Sequence, residues 1–505
     1  MSASGPPDRA ARPFPPGDYP VVVVGSGPGA LQTTASLRRL GVEHAVISED
    51  QGPGGMFRRF PLFQRLITWT KPFSPAERGT RTYEWYDWNS LIGGDPTERA
   101  LVAGLMDGTS YFPSRQEMEA GLVAFADGAA VTVRYGCRWE GTRREVDGFT
   151  LATSDGEYRC RVIVFAVGMT EPWKPSNIPG VEGVPHYVET RDARTYAGRR
   201  VFVIGKRNSG FEVADGLLPW ARQVILGSPR PAKISVLTHS TAAARARYMQ
   251  PYEDHVLGGG TFVLDAAIDR VDRTSEGFRI HASGTTRPGS FTFDVDDCIA
   301  ATGFGTPLGD LDKLGVKVFN QGRLPAQTPY WESATVPGIY FAGSITQGSI
   351  GLKKYGMPSN SAAVHGFRYN AVVLAEHLAS RLFGMRAERR VVPPDGVVEL
   401  LLEEASHAPE LWNQRSYLAR QVTREADGSL LDGGIVPLQH FVDESGPDAL
   451  AVAVETDDTG EIHPALYVRR RGRTDEHVLP GDPLLDFRGP EHRADVTSLV
   501  KEWTT

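Results

Sequence analysis

Four consecutive valines, Val21 to Val24, run directly into Gly25-Ser26-Gly27-Pro28-Gly29-Ala30, and no other stretch of the chain restricts the fold as tightly. A run of β-branched residues suits a strand buried on both faces of a parallel sheet. The hexapeptide fits G-x-G-x-x-[GA]. Gly25 allows the tight turn, Gly27 lets the backbone approach a pyrophosphate, and the small Ala30 lets helix and strand pack closely. Ala30 to Leu40 has helical spacing and His44 to Glu49 reads as the next strand, which completes a βαβ unit. The helix N-terminus would face phosphates with unpaired N–H groups and a favourable dipole. Glu49 ends that strand 24 residues after Gly25, placed to bond an adenosine ribose. Its charge argues against a 2′-phosphate at this turn. A purely structural glycine turn is the alternative. The strand before and the helix after it favour a nucleotide site built from Gly25, Gly27, Pro28, Gly29, Ala30 and Glu49.

A second strand–turn–helix follows at 199–220, "RRVFVIGKRNSGFEVADGLLPW". It keeps Gly205 and Gly210 but carries Arg207 where a second glycine usually sits. Each of the two turns is followed by a similar run of short strands. The first, "AAVTVRYGCRWEGTRREVDGFTLATSDGEYRCRVIVFAVG", ends at Gly168; the second, "TFVLDAAIDRVDRTSEGFRIHASGTTRPGSFTFDVDDCIAATG", ends at Gly303. Both place a charged turn and a Gly-Phe hairpin ahead of a final apolar strand. The chain therefore reads as an α/β protein with two Rossmann-like, three-layer dinucleotide-binding domains. The expected division is a disordered Pro-rich tail at 1–19, a first domain at 20–182 and 295–385, a second at 183–294, and an appended C-terminal α+β domain at 386–505. Between the first βα unit and the strand run lies a long aromatic-rich section, Gly52 to about Arg115, of the length that usually carries function. A last long helix is expected from about Ser361 to Leu382.

Composition narrows the classes. The 505 residues are 41% hydrophobic and 23% charged, with a formal net charge of −7 and no basic tract, which disfavours nucleic acid. No apolar run approaches the roughly 20 residues that span a bilayer. The N-terminus lacks an apolar h-region, and three scattered cysteines, Cys137, Cys160 and Cys298, make neither a disulfide framework nor a zinc site, so a cytoplasmic protein without a bound metal is expected. The preference for Arg over Lys suggests a GC-rich bacterial genome. Association of identical chains stays open.

Several motifs taken together resemble the flavin-containing monooxygenase superfamily among the two-dinucleotide-domain flavoproteins. They are "GSGPGA", then Gly54 to Phe57 with "FPLFQRLITW" after it, the link "AVGMTEPWKPSNIPGVEG", and the return strand "AATGF" at 300–304. The likeness covers roughly residues 20–380. It implies FAD in the first domain, with Gly55, Met56, Phe57, Arg65 and Leu66 along it, and Ala166, Gly343 and Ser344 bordering it from neighbouring strand ends. It implies NADPH at the second turn, held by Gly205, Arg207, Asn208, Ser209 and Gly210. Arg207 admits two readings. It obstructs the pyrophosphate, or its guanidinium bonds phosphate. The retained pattern around it favours binding. The end of the following strand has no acid but offers Ser228 and Arg230, which suits a 2′-phosphate and hence NADP. Solvated loop residues are the alternative there.

The resemblance implies hydride transfer to flavin and then either oxygen or another acceptor. Gly343 is followed by Ser344, not by the Asp of thioredoxin-reductase-like proteins, and there is no C-x-x-C, so disulfide reduction is disfavoured. His186 is followed by "YVETRD" where the Baeyer–Villiger branch has Trp-Pro, which leaves hydroxylation of nitrogen or sulfur with molecular oxygen, in the manner of bacterial secondary metabolism. His186, His239, His255 and His365 are scattered and read as structural or surface residues. The loop "QGSIGLKKYGMPSN" (347–360) precedes the last helix and is expected at the flavin edge. Lys353 and Asn360 from that loop, and Lys71 from "WTKPF", are the candidate catalytic residues, with solvent-exposed lysines as the bland alternative. The aromatic loop Trp69 to Trp88 is expected to wall the substrate site. Two other classes stay open: an FAD/NADPH oxidoreductase without oxygen insertion, and a non-enzymatic flavoprotein with an inactive second site.

Overall fold

The computed structural model describes residues 12–505 apart from 62, 239–242, 254–259, 321, 386–387 and 505. Val21–Val24 lies at the centre of a five-stranded, wholly parallel sheet, in the order Ile339–Phe341, Val162–Phe165, Val21–Val24, Ala45–Ser48, Arg134–Tyr135. Side chains alternate across a strand, and the valines divide accordingly. Val21 and Val23 pack on the helix side with Ala30, Leu37, Leu374 and Leu378. Val22 and Val24 face Ala45, Ile47, Leu151 and Tyr158 on the other side. The helices Pro28–Arg39 and Val364–Phe383 form one outer layer. The antiparallel strands Trp139–Glu145, Gly148–Thr153 and Gly156–Cys160 form the other. This is the three-layer plan expected of the first unit.

The second unit repeats the plan in one continuous sheet. Its order is Ser290–Val295, Phe278–Gly284, Thr261–Arg273, Gln223–Ser228, Arg200–Ile204, Asp297–Ala300. The four strands from Thr261–Arg273 to Asp297–Ala300 are parallel, and the meander is joined through the 13-residue strand Thr261–Arg273. Asp297–Ala300 bonds to Arg200–Ile204, so the chain is still in the second unit when it passes 295. It returns to the first only after that strand. The expected boundary moves because 297–300 is the second copy of Val162–Phe165, the strand that flanks the glycine turn in the first unit.

Two further expectations change. Of the expected disordered tail, residues 1–11 lie outside the described residues, but 12–19 are fixed: Arg12 is ion-paired to Asp155, Gly17–Asp18 pairs with Gly156–Cys160, and the Tyr158 hydroxyl donates to the Phe14 carbonyl at 2.6 Å. The aromatic loop packs on both the C-terminal region and the first unit's long helix: Trp85 meets Trp412 edge-on at 4.9 Å, and Trp88 stacks on His365 of Val364–Phe383 at 4.4 Å.

Residues beyond 390 build an antiparallel sheet in the order Leu430–Pro437, Leu418–Arg424, Ala449–Thr456, Ile462–Arg470, Arg473–Val478, covered by the helices Val397–His407 and Pro490–Thr504. This is the α+β character expected of the appended domain. Among the described residues, no helix is long and apolar enough to cross a membrane.

Candidate cofactor and active site

The first glycine turn owes its form to close backbone packing. Gly25 has φ +128°, a region L side chains rarely adopt, and a Cβ there would sit 2.5 Å from the Ala166 carbonyl oxygen. Gly27 differs: it caps the helix with an ordinary φ of −76°, and a Cβ would meet only the Gly55 Cα, at 3.9 Å. Glycine at 27 therefore provides space rather than conformation. Gly29 abuts the backbone of Gly343, so any side chain there would displace that strand end.

Above the turn lies a cavity of about 710 Å³. Gly25, Gly27, Pro28 and Gly29 line it, with Glu49, Gly55, Met56, Phe57, Leu66, Ala166, Gly343 and Ser344. Ala30 is buried beneath them in the core. Glu49 keeps its side chain about half exposed, 3.5 Å from Arg59, and is free to take ribose hydroxyls. Its neighbour Asp50 is committed to Ser26, at 2.8 Å, and to Arg59. The open face of Gly27, the helix N-terminus and this lining fit a dinucleotide whose pyrophosphate lies on the turn.

The cavity reaches the second unit, where Tyr187, Asn208, Ser209 and Glu212 line it. Here stands a group that sequence reasoning missed. Glu212 accepts from the Tyr187 hydroxyl and, at 3.2 Å, from the Gln64 amide. Burial pushes its carboxyl up to about 7, and the hydrogen bonds from Tyr187 and Gln64 and the charge of Arg247 oppose the rise only in part. Glu212 can thus hold or release a proton near neutrality, at the seam of the two units.

The second turn copies the first. Gly205 has φ +130°, and a Cβ there would strike the Ala301 carbonyl oxygen, as one on Gly25 would strike Ala166. Gly210 packs on the Gly205 carbonyl. Arg207 caps the helix Asn208–Leu217 in an extended conformation, φ −113° and ψ −168°, with its side chain exposed. It strains nothing. A second guanidinium, Arg323, is pushed down by burial and then by the charge of Arg207, and its Nε is buried without a partner. The two guanidinium charges are thus near enough for Arg207 to lower Arg323, which stacks over the Trp173 ring at 5.5 Å. Ser228 and the exposed Arg230 end the next strand and do not line the large cavity. In register with Ser228 lies Asp265, an acid on the neighbouring strand, paired to the buried Lys206.

Several expected site residues stand elsewhere. Lys71 is exposed, 5.9 Å over the Tyr86 ring, and lines neither of the cavities described here. Arg65 points outward and donates to the Phe112 carbonyl at 2.8 Å, because its neighbours Gln64 and Leu66 take the inward positions. The Asn360 amide is spent on the Asn413 carbonyl at 2.8 Å, and its backbone N–H donates to Gln414, so it holds the appended domain rather than the reacting end. Lys353 lines a smaller adjoining cavity, while Lys354 is clamped by Glu455, Glu476 and the Tyr467 hydroxyl. Of the histidines, His186 bonds the Gly303 carbonyl at 3.0 Å and His365 is buried, while His239 and His255 lie outside the described residues. The aromatic loop leaves the wall of the large cavity to Phe57, Phe60, Leu66 and Phe304.

Two glycine turns on one plan, joined by a shared cavity, define a two-dinucleotide-domain flavoprotein. A family model described as pyridine nucleotide-disulphide oxidoreductase matches residues 22–343, and the chain belongs to that family. The family's description is that of oxidoreductases, and FAD-dependent ones are among the relatives. Among curated proteins it is 24% identical over 436 residues to FAD-dependent oxidoreductase domain-containing protein 2 of Mus musculus, covering 79% of this chain and 63% of the relative. The chain thus spans just under two thirds of that relative's length. It is 26% identical to a ferredoxin–NADP reductase of Thermus thermophilus, over 59% of this chain and 84% of the relative. Solved structures of the same fold include a bacillithiol disulfide reductase from Staphylococcus aureus (TM-score 0.56, 16% identity, 72% of this chain and 99% of that one). Another is an ornithine N-hydroxylase from Kutzneria (TM-score 0.55, 19% identity, 72% and 100%).

Proposed function

We propose that the chain is an FAD- and NADPH-dependent monooxygenase that hydroxylates a nitrogen or sulfur of a small molecule, in the manner of bacterial secondary metabolism. FAD, when bound, would supply two-electron chemistry between NADPH and molecular oxygen. The protein's part is binding, orientation and exclusion of water. The first turn seats the pyrophosphate, Glu49 takes a ribose, and Phe57, Phe60, Leu66 and Phe304 give the reacting end a dry wall. Arg207 and Arg323 receive the phosphates of NADPH. Glu212 holds a proton on its carboxyl oxygen, oriented by Tyr187 and Gln64.

The observation that carries oxygenation over disulfide reduction is the place of the thiols. All three cysteines are free. Cys160 and Cys298 are buried in strands, and burial raises both thiols above their usual range. Cys137 lines the cavity, but beside Ser48, at the end where the ribose is expected. None stands with Tyr187 and Glu212. The ferredoxin reductase among the relatives favours a second reading, electron transfer without oxygen insertion. Turnover with NADPH under ¹⁸O₂ across a panel of amines and thioethers separates the two. Label in the product supports the monooxygenase. Peroxide accounting for all NADPH consumed, with no labelled product, supports the oxidoreductase.

A further inference from the structure

A second chamber, of about 260 Å³, opens off the large cavity and shares Ile67, Thr68, Gln347, Ala362 and Ala363 with it. A molecule held there would present one end to the reacting part of the main cavity. Arg245 lines this chamber, and its Nε and Nη2 are buried with no hydrogen-bond partner among the described residues. Burial pushes this guanidinium down; the neighbouring titratable groups that act on it are the Tyr248 phenol and, lowering it further, the Arg247 guanidinium. The positive field extends further. Buried His365, itself without a partner on either ring nitrogen, is pushed down to about 3 by burial and then by Arg368, Arg245 and Arg415. Arg368 has a carboxylate in Glu84; among the described residues no carboxylate pairs with Arg245. Lys353 adds a further cation at the rim.

A buried charge normally has a counter-charge or a full set of hydrogen bonds, because desolvating it alone costs several kcal/mol. Arg245 lines the chamber, and among the described residues no anion pairs with it. The remaining wall is largely apolar: Phe319, Ile350, Pro358 and Tyr417. Tyr417 comes from the appended domain, and its hydroxyl donates to the Met357 carbonyl at 3.2 Å. The Lys354 clamp fixes the same loop from the sheet of that domain.

We propose that this chamber is the substrate site, that its occupant is a small apolar carboxylic acid whose carboxylate pairs with Arg245, and that the C-terminal domain forms its outer wall through Tyr417. The proposal rests on the reading of the large cavity as the flavin site. A bidentate guanidinium–carboxylate pair fits a fork with free Nε and Nη2. Such a substrate would enter with its carboxylate at Arg245 and its oxidisable atom toward Gln347 and Ala363.

The test uses the FAD-loaded full chain and a panel of arylthio- and arylamino-acetates, each paired with its neutral amide, with binding read by calorimetry. At least one acid is expected to bind at least tenfold more tightly than its amide. Arg245→Met should lose that preference, Arg245→Lys should keep part of it, and Tyr417→Ala should weaken acid and amide alike. NADPH affinity should stay within about twofold in all three variants. The proposal is overturned if wild-type protein binds no acid, if acid and amide bind equally, or if Arg245→Met weakens NADPH and spares the acid. Should Arg245→Met not fold, the wild-type acid–amide comparison and Arg245→Lys decide. Flavin content and NADPH-driven bleaching are measured on the same samples. If those fail, the flavin-site reading fails; if they hold and no acid binds, only this proposal does.

Discussion

The two glycine turns do the same thing with different residues. In the first, Gly25 meets the Ala166 carbonyl and its amide donates to Ile47 at 2.8 Å; in the second, Gly205 meets the Ala301 carbonyl and its amide donates to Gly227 at 2.9 Å. The next position secures a nearby acid in both: Ser26 bonds Asp50, and Lys206 pairs with Asp265. They part at the third position. Gly27 leaves the helix end open, whereas Arg207 places a cation there, whose charge lowers Arg323. Backbone geometry is thus shared where left-handed φ demands it, and side chains vary where φ is ordinary. On the proposed reading, the first turn makes close backbone contact with a pyrophosphate and the second makes ionic contact.

The comparison breaks most sharply at the shared glycines. Gly25→Val combines a forbidden φ with collision against Ala166 and should leave the protein without FAD, losing at least a hundredfold in affinity. Gly205→Val should keep the yellow colour but lose NADPH-driven bleaching. Absorbance of the purified variants checks both, and an NADPH response in Gly205→Val would mean the second turn is not used. Gly27→Ala is the control, since its Cβ has room: it should fold and retain FAD more weakly.

The seam between the turns gives the next effect. Glu212 is raised from 4.5 to about 7 by burial, so the folded state binds its proton more tightly than the unfolded chain does. The native state then loses stability as pH rises from the unfolded value through the folded one, by about 3 kcal/mol in all. Below about pH 4.5 both states are protonated and nothing is lost. Glu212→Gln, neutral throughout, should therefore gain stability relative to wild type between about pH 5 and 8, read as a pH-dependent Tm difference. A constant difference would place the carboxyl in an ordinary titration.

A smaller effect is expected at the strand end of the second unit. Arg230 is exposed there, so Arg230→Ala should weaken NADPH by less than about tenfold and leave NADH unchanged. Equal weakening of both coenzymes would remove Arg230 from 2′-phosphate recognition.

Much of this was legible in the sequence, for local reasons. The valine run, the two glycine turns and the repeated meander announce themselves within about 45 residues each, because turns and alternation are local properties. What escaped depends on distant partners. Glu212 lies in a helical stretch where an acid reads as solvent-facing; it is buried by Tyr187 and by Gln64, 148 residues away. Asp265 faces Ser228 only through parallel strand register. The Pro-rich segment at 12–19 looked free because nothing local reveals Asp155 waiting for Arg12. Lys71, Arg65 and Asn360 were chosen by segment, and within a segment the inward position is set by packing: Gln64 and Leu66 point in, Arg65 out.

The account stands or falls on Arg207. The most direct measurement is NADPH affinity and the rate of flavin reduction in Arg207→Gly, mixed without oxygen beside the wild type. If the guanidinium holds phosphate, removing a charge-assisted contact of roughly 1.5–3 kcal/mol weakens NADPH about tenfold to a hundredfold and leaves FAD content unchanged. If the glycine variant instead binds NADPH more tightly, Arg207 obstructs a turn built on the first one's plan, and the ionic reading of the second site is wrong.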